Sequence, residues 1–133
     1  MKQRKQLMSS SILVGRFCLP LSNEQGQDFG VGDVMDYLEE AARERLLAGE
    51  YYVPLTVTEG DALMLGERGG KPIVNFVESL VITCAQSLRE MTDTDFLNYL
   101  KELTAGLAEE FGIGKFGYTV TRVTHDVFEF ASP

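Results

Sequence analysis

At 133 residues, with 44% hydrophobic and 24% charged residues, the chain is sized for one domain with its own core, and its composition excludes global disorder. Twenty Asp and Glu stand against twelve Lys and Arg, and from Met8 onward only 9 basic residues face all 20 acidic ones. A field of that sign repels phosphate backbones and anionic lipid, so no nucleic acid and no membrane is expected among the partners, and a basic protein is favoured.

Residues 1–10 read as a flexible basic leader ahead of a single α+β domain over 11–133. The apolar residues that follow are interrupted by Ser9, Ser10, Ser11, Gly15 and Arg16, so they make no signal peptide, and no stretch reaches the ~18 apolar residues of a membrane span. A cytoplasmic location is the expectation, with Met8 as an alternative start. Residues 11–21 predict a first strand ended by Pro20, either buried on both faces or bulged at Gly15. The Gly-, Gln- and Asp-rich stretch 22–32 reads as a surface loop whose three glycines lack the GxGxxG frame of a nucleotide loop. Asp33 then offers a cap for a helix with Val34 or Met35, Leu38, Ala42 and Leu46 on one face, stopped by Gly49.

Tyr51, Val53, Leu55 and Val57 alternate with polar partners as a half-buried strand does, and Pro54 points to an edge. Two short apolar runs on either side of residues 66–71 predict a hairpin. Val77, Leu80, Val81, Cys84 and Leu88 keep helical spacing and predict a second helix; Thr92 to Asp95 cap a third, whose stripe of Phe96, Leu97, Leu100, Leu103, Leu107 and Phe111 runs to Gly112. Gly106 in its middle signals close packing. A final hairpin is predicted with Phe116, Tyr118 and Val120 on one arm, a turn near Thr124, His125 and Asp126, and Phe128 and Phe130 on the other. The elements add up to a two-layer sandwich: an antiparallel sheet of about five to six strands with about three helices on one face. Over residues 31–130 the order helix, three strands, helix, two strands resembles that of type III secretion chaperones, a likeness of element order.

Cys18 and Cys84 lack metal-ligand spacing and read as two buried reduced thiols. Adjacent carboxylates at Asp93/Asp95 and Glu109/Glu110 read as a helix cap and a wet face. No catalytic residue, cofactor or metal site is predicted. Three residues remain as candidates for contact with a partner or ligand. Arg122 continues the inward parity of Tyr118 and Val120, where an arginine needs a carboxylate, a ligand or the sheet rim. His125 is the only histidine. Tyr52 faces outward beside the edge-marking Pro54. The leading expectation is therefore a non-catalytic interaction module, an adaptor, inhibitor, immunity-type or chaperone-like protein, that forms a homo-oligomer and binds a basic protein. Its alternatives are a small enzyme or anionic-ligand-binding domain with a pocket near the C-terminal hairpin, using Arg122, His125 and Tyr118, and a subunit of a larger assembly.

Overall fold

The computed structural model describes residues 4–51, 53–88 and 91–131. Six elements run in the order β1 (Arg4–Pro20), α1 (Val31–Leu47), β2 (Leu55–Arg68), β3 (Lys71–Ala85), α2 (Asp93–Phe111) and β4 (Tyr118–Phe130). Among the described residues the strands form one antiparallel sheet in the order β2-β3-β1-β4, with both helices on one face. The α+β class and antiparallel sheet agree with the sequence; the counts do not, since four strands and two helices replace about five to six and about three.

The predicted helix over 77–88 is strand β3. It lies between β2 and β1, with Leu80, Ile82 and Cys84 toward the helices and Val77 and Val81 on the other face, and apolar residues taken from both faces satisfy helical spacing by accident; the β-branched Val81, Ile82 and Thr83 follow their strand preference. The two C-terminal arms are one continuous strand, β4, without a turn at His125. Residues 4–10, expected as a leader, are the first part of β1, paired with the end of β4. The predicted edge is present: β2 lies at one side of the sheet and begins just after Pro54. Gly69 and Gly70, both at positive φ, close the β2–β3 hairpin between the paired Arg68 and Lys71, the geometry a two-residue type I′ turn requires.

Leu13, Gly15, Phe17 and Leu19 of β1 face the helices, beside Leu80, Ile82 and Cys84 of β3. Against them α2 sets Phe96, Leu100, Leu103 and Leu107, and α1 sets Val34 and Leu38. The α2 frame is as predicted: the Thr92 hydroxyl accepts from the Asp95 N–H, and Gly112 caps the other end at φ 68°. Gly15 is no bulge, because the register passes through it unbroken. It is the place where α2 comes closest: a Cβ there would lie 2.5 Å from Leu100 Cδ1. Gly15→Ala is therefore expected to overpack a site with no free space, costing about 1–3 kcal/mol. Urea unfolding measures it, and adding Leu100→Ala to the same chain should cost less than the sum of the two single changes.

The strands are longer than the helices that cover them. The distal part of the β2–β3 hairpin projects past the helical layer, leaving Leu63, Val74 and Phe76 more than half exposed. Among the described residues no helix is long and apolar enough to cross a membrane.

Candidate functional site

The root of that projecting hairpin meets the loop between β1 and α1. The loop is held from within and from α2: the Asn23 side-chain oxygen accepts from the N–H groups of Gln25 and Gln27, while its Nδ2 donates to the carbonyl of Phe111, the last residue of α2, at 3.0 Å. The Phe29 N–H donates to Leu21 O and the Leu21 N–H to Glu78 O, which ties the loop to β3. Phe29 consequently rests on Phe111, with ring centroids 4.9 Å apart, and Tyr37 of α1 meets the same ring edge-on at 6.0 Å.

Three clefts surround this loop and share lining residues. One, of about 370 Å³, lies between Val31, Glu59, Asp61 and Glu78. A second, of about 310 Å³, shares Leu21 and Glu78 with it and adds Asp28, Phe29 and Phe76. The third, of about 850 Å³, shares Asp28 and Phe29 with the second and adds Asp33, Asp36, Tyr37, Glu40, Glu110 and Phe111. Eight carboxylates line the three, and no Lys, Arg or His does. Asp61 and Glu78 are direct cross-strand partners, a like-charge pairing that costs stability unless a cation offsets it. Tyr37 feels the same field: partial burial, then Glu110, Glu109 and Glu44, push its phenol up from its ordinary value. Among the described residues no three acidic, His or Cys side chains converge as metal ligands do. The negative charge is spread along a surface with aromatic rings in it, an arrangement suited to an extended organic cation.

The residues singled out from the sequence lie elsewhere. Arg122 does face the helices, and its partner is a carboxylate: it pairs with Asp93 in the first turn of α2 and reaches the Ser11 hydroxyl. Asp93 also accepts from Gln86 Nε2, and these two hydrogen bonds, Gln86 first, hold its carboxyl below the usual range. His125 is three residues from Arg122 on the same strand, so strand periodicity turns it to the opposite face, exposed opposite Ser10. Tyr118 shares the Arg122 face but lies four positions away, at the other end of the helical layer. The pocket proposed from Arg122, His125 and Tyr118 is thus not assembled. Tyr118 instead lines a separate cleft of about 550 Å³ with Phe116, Lys101 and Lys115. Tyr52 lies outside the described residues. Cys84 is buried, which pushes its thiol up to about 12, whereas Cys18, expected to be buried, is exposed on the face away from the helices.

One further cleft was not foreseen. Val34, Leu38 and Arg45 fall at i, i+4 and i+11 of α1, so the inward stripe ends on an arginine, and Leu46, expected on it, is exposed. Arg45 stacks over the ring of Tyr99 at 4.6 Å and pairs with Glu50 at 2.9 Å and Glu102 at 3.6 Å. The only sequence signal was that spacing. Close by, the Tyr37 hydroxyl occupies the space over Gly106, the close packing expected of that glycine.

No family model matches the chain, and no curated protein matches it in sequence. Its fold does match solved structures. A phage SAM lyase in complex with S-methyl-5'-thioadenosine superposes with a TM-score of 0.59 at 13% identity, over 87% of this chain and 88% of that one. A phage SAM lyase in the apo state gives 0.56 at 14% identity, over 88% and 89%. At such identities the likeness is one of fold. It overturns the expectation of a non-catalytic interaction module, because nearly the whole of this chain superposes on chains that are lyases; the order of elements that resembled a secretion chaperone is not kept either, since α1 is followed by two strands, α2 and one strand.

Proposed function

We propose that the protein is an enzyme that cleaves a sulfonium nucleoside of the S-adenosylmethionine type and releases S-methyl-5'-thioadenosine. The observation that carries this reading is the near-complete overlap of its fold with that of the phage SAM lyases. The acid-lined clefts around the β1–α1 loop support it independently, since their charge suits a cationic substrate and their rings suit a purine and an onium group. The net charge of −8 acts in the same sense at longer range, drawing a cation toward the surface.

The reaction needs no base from the protein. The substrate's own carboxylate oxygen attacks its γ-carbon, the Cγ–S bond breaks, and its electron pair stays on sulfur as a neutral thioether. The four-carbon fragment leaves as a lactone that keeps its ammonium, so no proton moves and no oxidant or reductant is consumed. A carboxylate and a sulfonium neutralise one another along this path, and Coulomb attraction between them grows as water is displaced. The protein's part is to bind the cation, fold the amino-acid chain back on itself and cover it with apolar surface such as Phe29 and Phe76.

The test is direct. Purified protein incubated with S-adenosylmethionine is expected to produce S-methyl-5'-thioadenosine, followed by liquid chromatography and mass spectrometry, in proportion to enzyme and well above the spontaneous rate. Equal rates with and without protein would overturn the proposal.

A further inference from the structure

Among the described residues, strand β4 is an edge of the sheet along its whole length: it pairs with β1 alone, and no turn or loop hydrogen bond reaches its backbone. An unpaired strand edge is a template for another chain unless it is blunted by proline, lysine, a bulge or brevity. β4 has none of these. Its thirteen residues, Tyr118–Phe130, include no Pro, Gly or Lys, and the register shift in its pairing falls on β1, between Gln6 and Met8. The opposite edge, β2, begins just past Pro54 and carries Gly60 and Gly66. The backbone also fixes which groups of β4 are free. The Leu13 N–H donates to the Gln86 side chain and the Leu13 carbonyl accepts from the Gln86 N–H, both on the β3 side. Leu13 and Arg122 are therefore a non-hydrogen-bonded pair, and Arg122 turns its own N–H and C=O to the free edge. By alternation every even-numbered residue from Tyr118 to Phe130 does the same.

Set antiparallel against itself, this strand is complementary. With Thr124 opposite Thr124, Arg122 falls opposite Asp126, Val120 opposite Phe128 and Tyr118 opposite Phe130. Each is a favourable cross-strand pair, and all but the central one occur twice. These are also the residues whose free N–H and C=O groups point outward, so hydrogen bonds and side chains agree on one register. Sliding the strands one pair in either direction sets Asp126 opposite Val120 or Arg122 opposite Phe128. Arg122 already holds Asp93 through Nη2, and its half-exposed guanidinium keeps donors free for a second carboxylate. The occupant of this edge is a second copy of the chain, because the complement β4 needs is its own sequence reversed. We infer that the protein forms a two-fold dimer by antiparallel β4–β4 pairing centred on Thr124, the two four-stranded sheets joining into one with the helices of both copies on the same face.

Sedimentation velocity of the intact chain at micromolar concentration is the measurement, and a mass of twice 14.8 kDa is expected. Asp126 is exposed and makes no ion pair among the described residues, so its replacement leaves the fold of one copy untouched. Asp126→Arg sets two arginines opposite one another on each side of the axis and should raise the dimer dissociation constant roughly tenfold or more. The register is read by cross-linking in a Cys18→Ser background, which removes the exposed native thiol. Thr124→Cys places two thiols opposite one another with Cα atoms about 5.5 Å apart, within disulfide reach, and mild oxidation should link the chains. Thr121→Cys, also exposed, lies about 20 Å from its counterpart and should not link. A wild-type monomer, an Asp126→Arg chain that associates as tightly as wild type, or Thr121→Cys linking as readily as Thr124→Cys would each overturn the inference. Contact between copies through the exposed Leu63 and Phe76 of the β2–β3 hairpin would give a dimer that Asp126→Arg leaves intact. None of these readouts depends on turnover of S-adenosylmethionine, so the dimer and the proposed reaction fail separately.

Discussion

Replacing Glu78 with lysine is expected to make the fold more stable and the proposed cleavage of S-adenosylmethionine much slower. In the wild type Glu78 lies directly across from Asp61 with no basic residue in the clefts they line. Glu78→Lys turns a repulsive cross-strand pair into an attractive one, a change of roughly 0.2–1 kcal/mol in favour of folding. The same change puts a cation where the proposed substrate carries its own. Juxtaposed like charges cost several kcal/mol in binding, so kcat/KM for S-adenosylmethionine should fall roughly a hundredfold or more. Glu78→Gln, which removes the charge without reversing it, should lie between. Denaturant unfolding and initial-rate measurements on the same preparations read both effects. Their opposite signs matter: a variant that is slow because it is damaged would also be unstable. If Glu78→Lys turns over substrate at the wild-type kcat/KM, these clefts are not where the substrate binds.

The sequence revealed the frame of this fold better than its site. The α2 helix was legible from cap to cap, because Thr92, Asp95 and Gly112 bracket a stripe whose every apolar member is used. The β2–β3 hairpin was legible from the Gly-rich segment 66–71, but not the tightness of its turn: residues 66–68 and 71 remain paired and only Gly69 and Gly70 turn. The two large errors share a cause in sheet geometry. Strand β3 sets Val77 and Val81 on the face away from the helices as well as Leu80, Ile82 and Cys84 toward them, so the alternation that identifies a half-buried strand is blurred. Strand β4 is an edge that outruns the helices, so Thr124, His125 and Asp126 are wet on both faces and imitate a turn. The acids of the candidate site were visible only as a surplus. Asp28 comes from a loop, Asp33 and Glu40 from α1, Asp61 from β2 and Glu78 from β3, and no linear spacing joins residues that meet only through the β1–α1 loop. Arg45 was hidden differently: a cation in the last turn of a helix is already explained by the helix dipole, and nothing local shows that it also turns inward.

Gln86 carries the second large effect, and it explains what Arg122 does. The side chain is 7% exposed at the end of β3. Its Oε1 accepts from the Leu13 N–H of β1 at 2.8 Å, and its Nε2 donates to the Met91 carbonyl at 2.8 Å and to Asp93 at 3.1 Å. One amide thus joins the central strand, the chain entering α2 and the carboxylate that holds Arg122 of β4. Gln86→Ala leaves the Leu13 N–H and the Met91 carbonyl without partners in a dry place, and the expected loss is about 2–4 kcal/mol. Arg122→Ala should cost far less, because the Arg122–Asp93 pair is half exposed and screened by solvent. The network also sets an acid limit. The Asp93 carboxyl is held below its ordinary value by Gln86 and then by Arg122, so the stability it lends is complete above the unfolded-state value of about 3.9 and is lost as pH falls through the lowered folded value. Urea midpoints measured from neutral pH down into that range should therefore show wild type losing stability that Asp93→Asn never had. The gap between the two chains should close on acidification. A gap that stays constant down the acid limb would mean that Asp93 is not held by this network, and that Gln86 acts through Leu13 and Met91 alone.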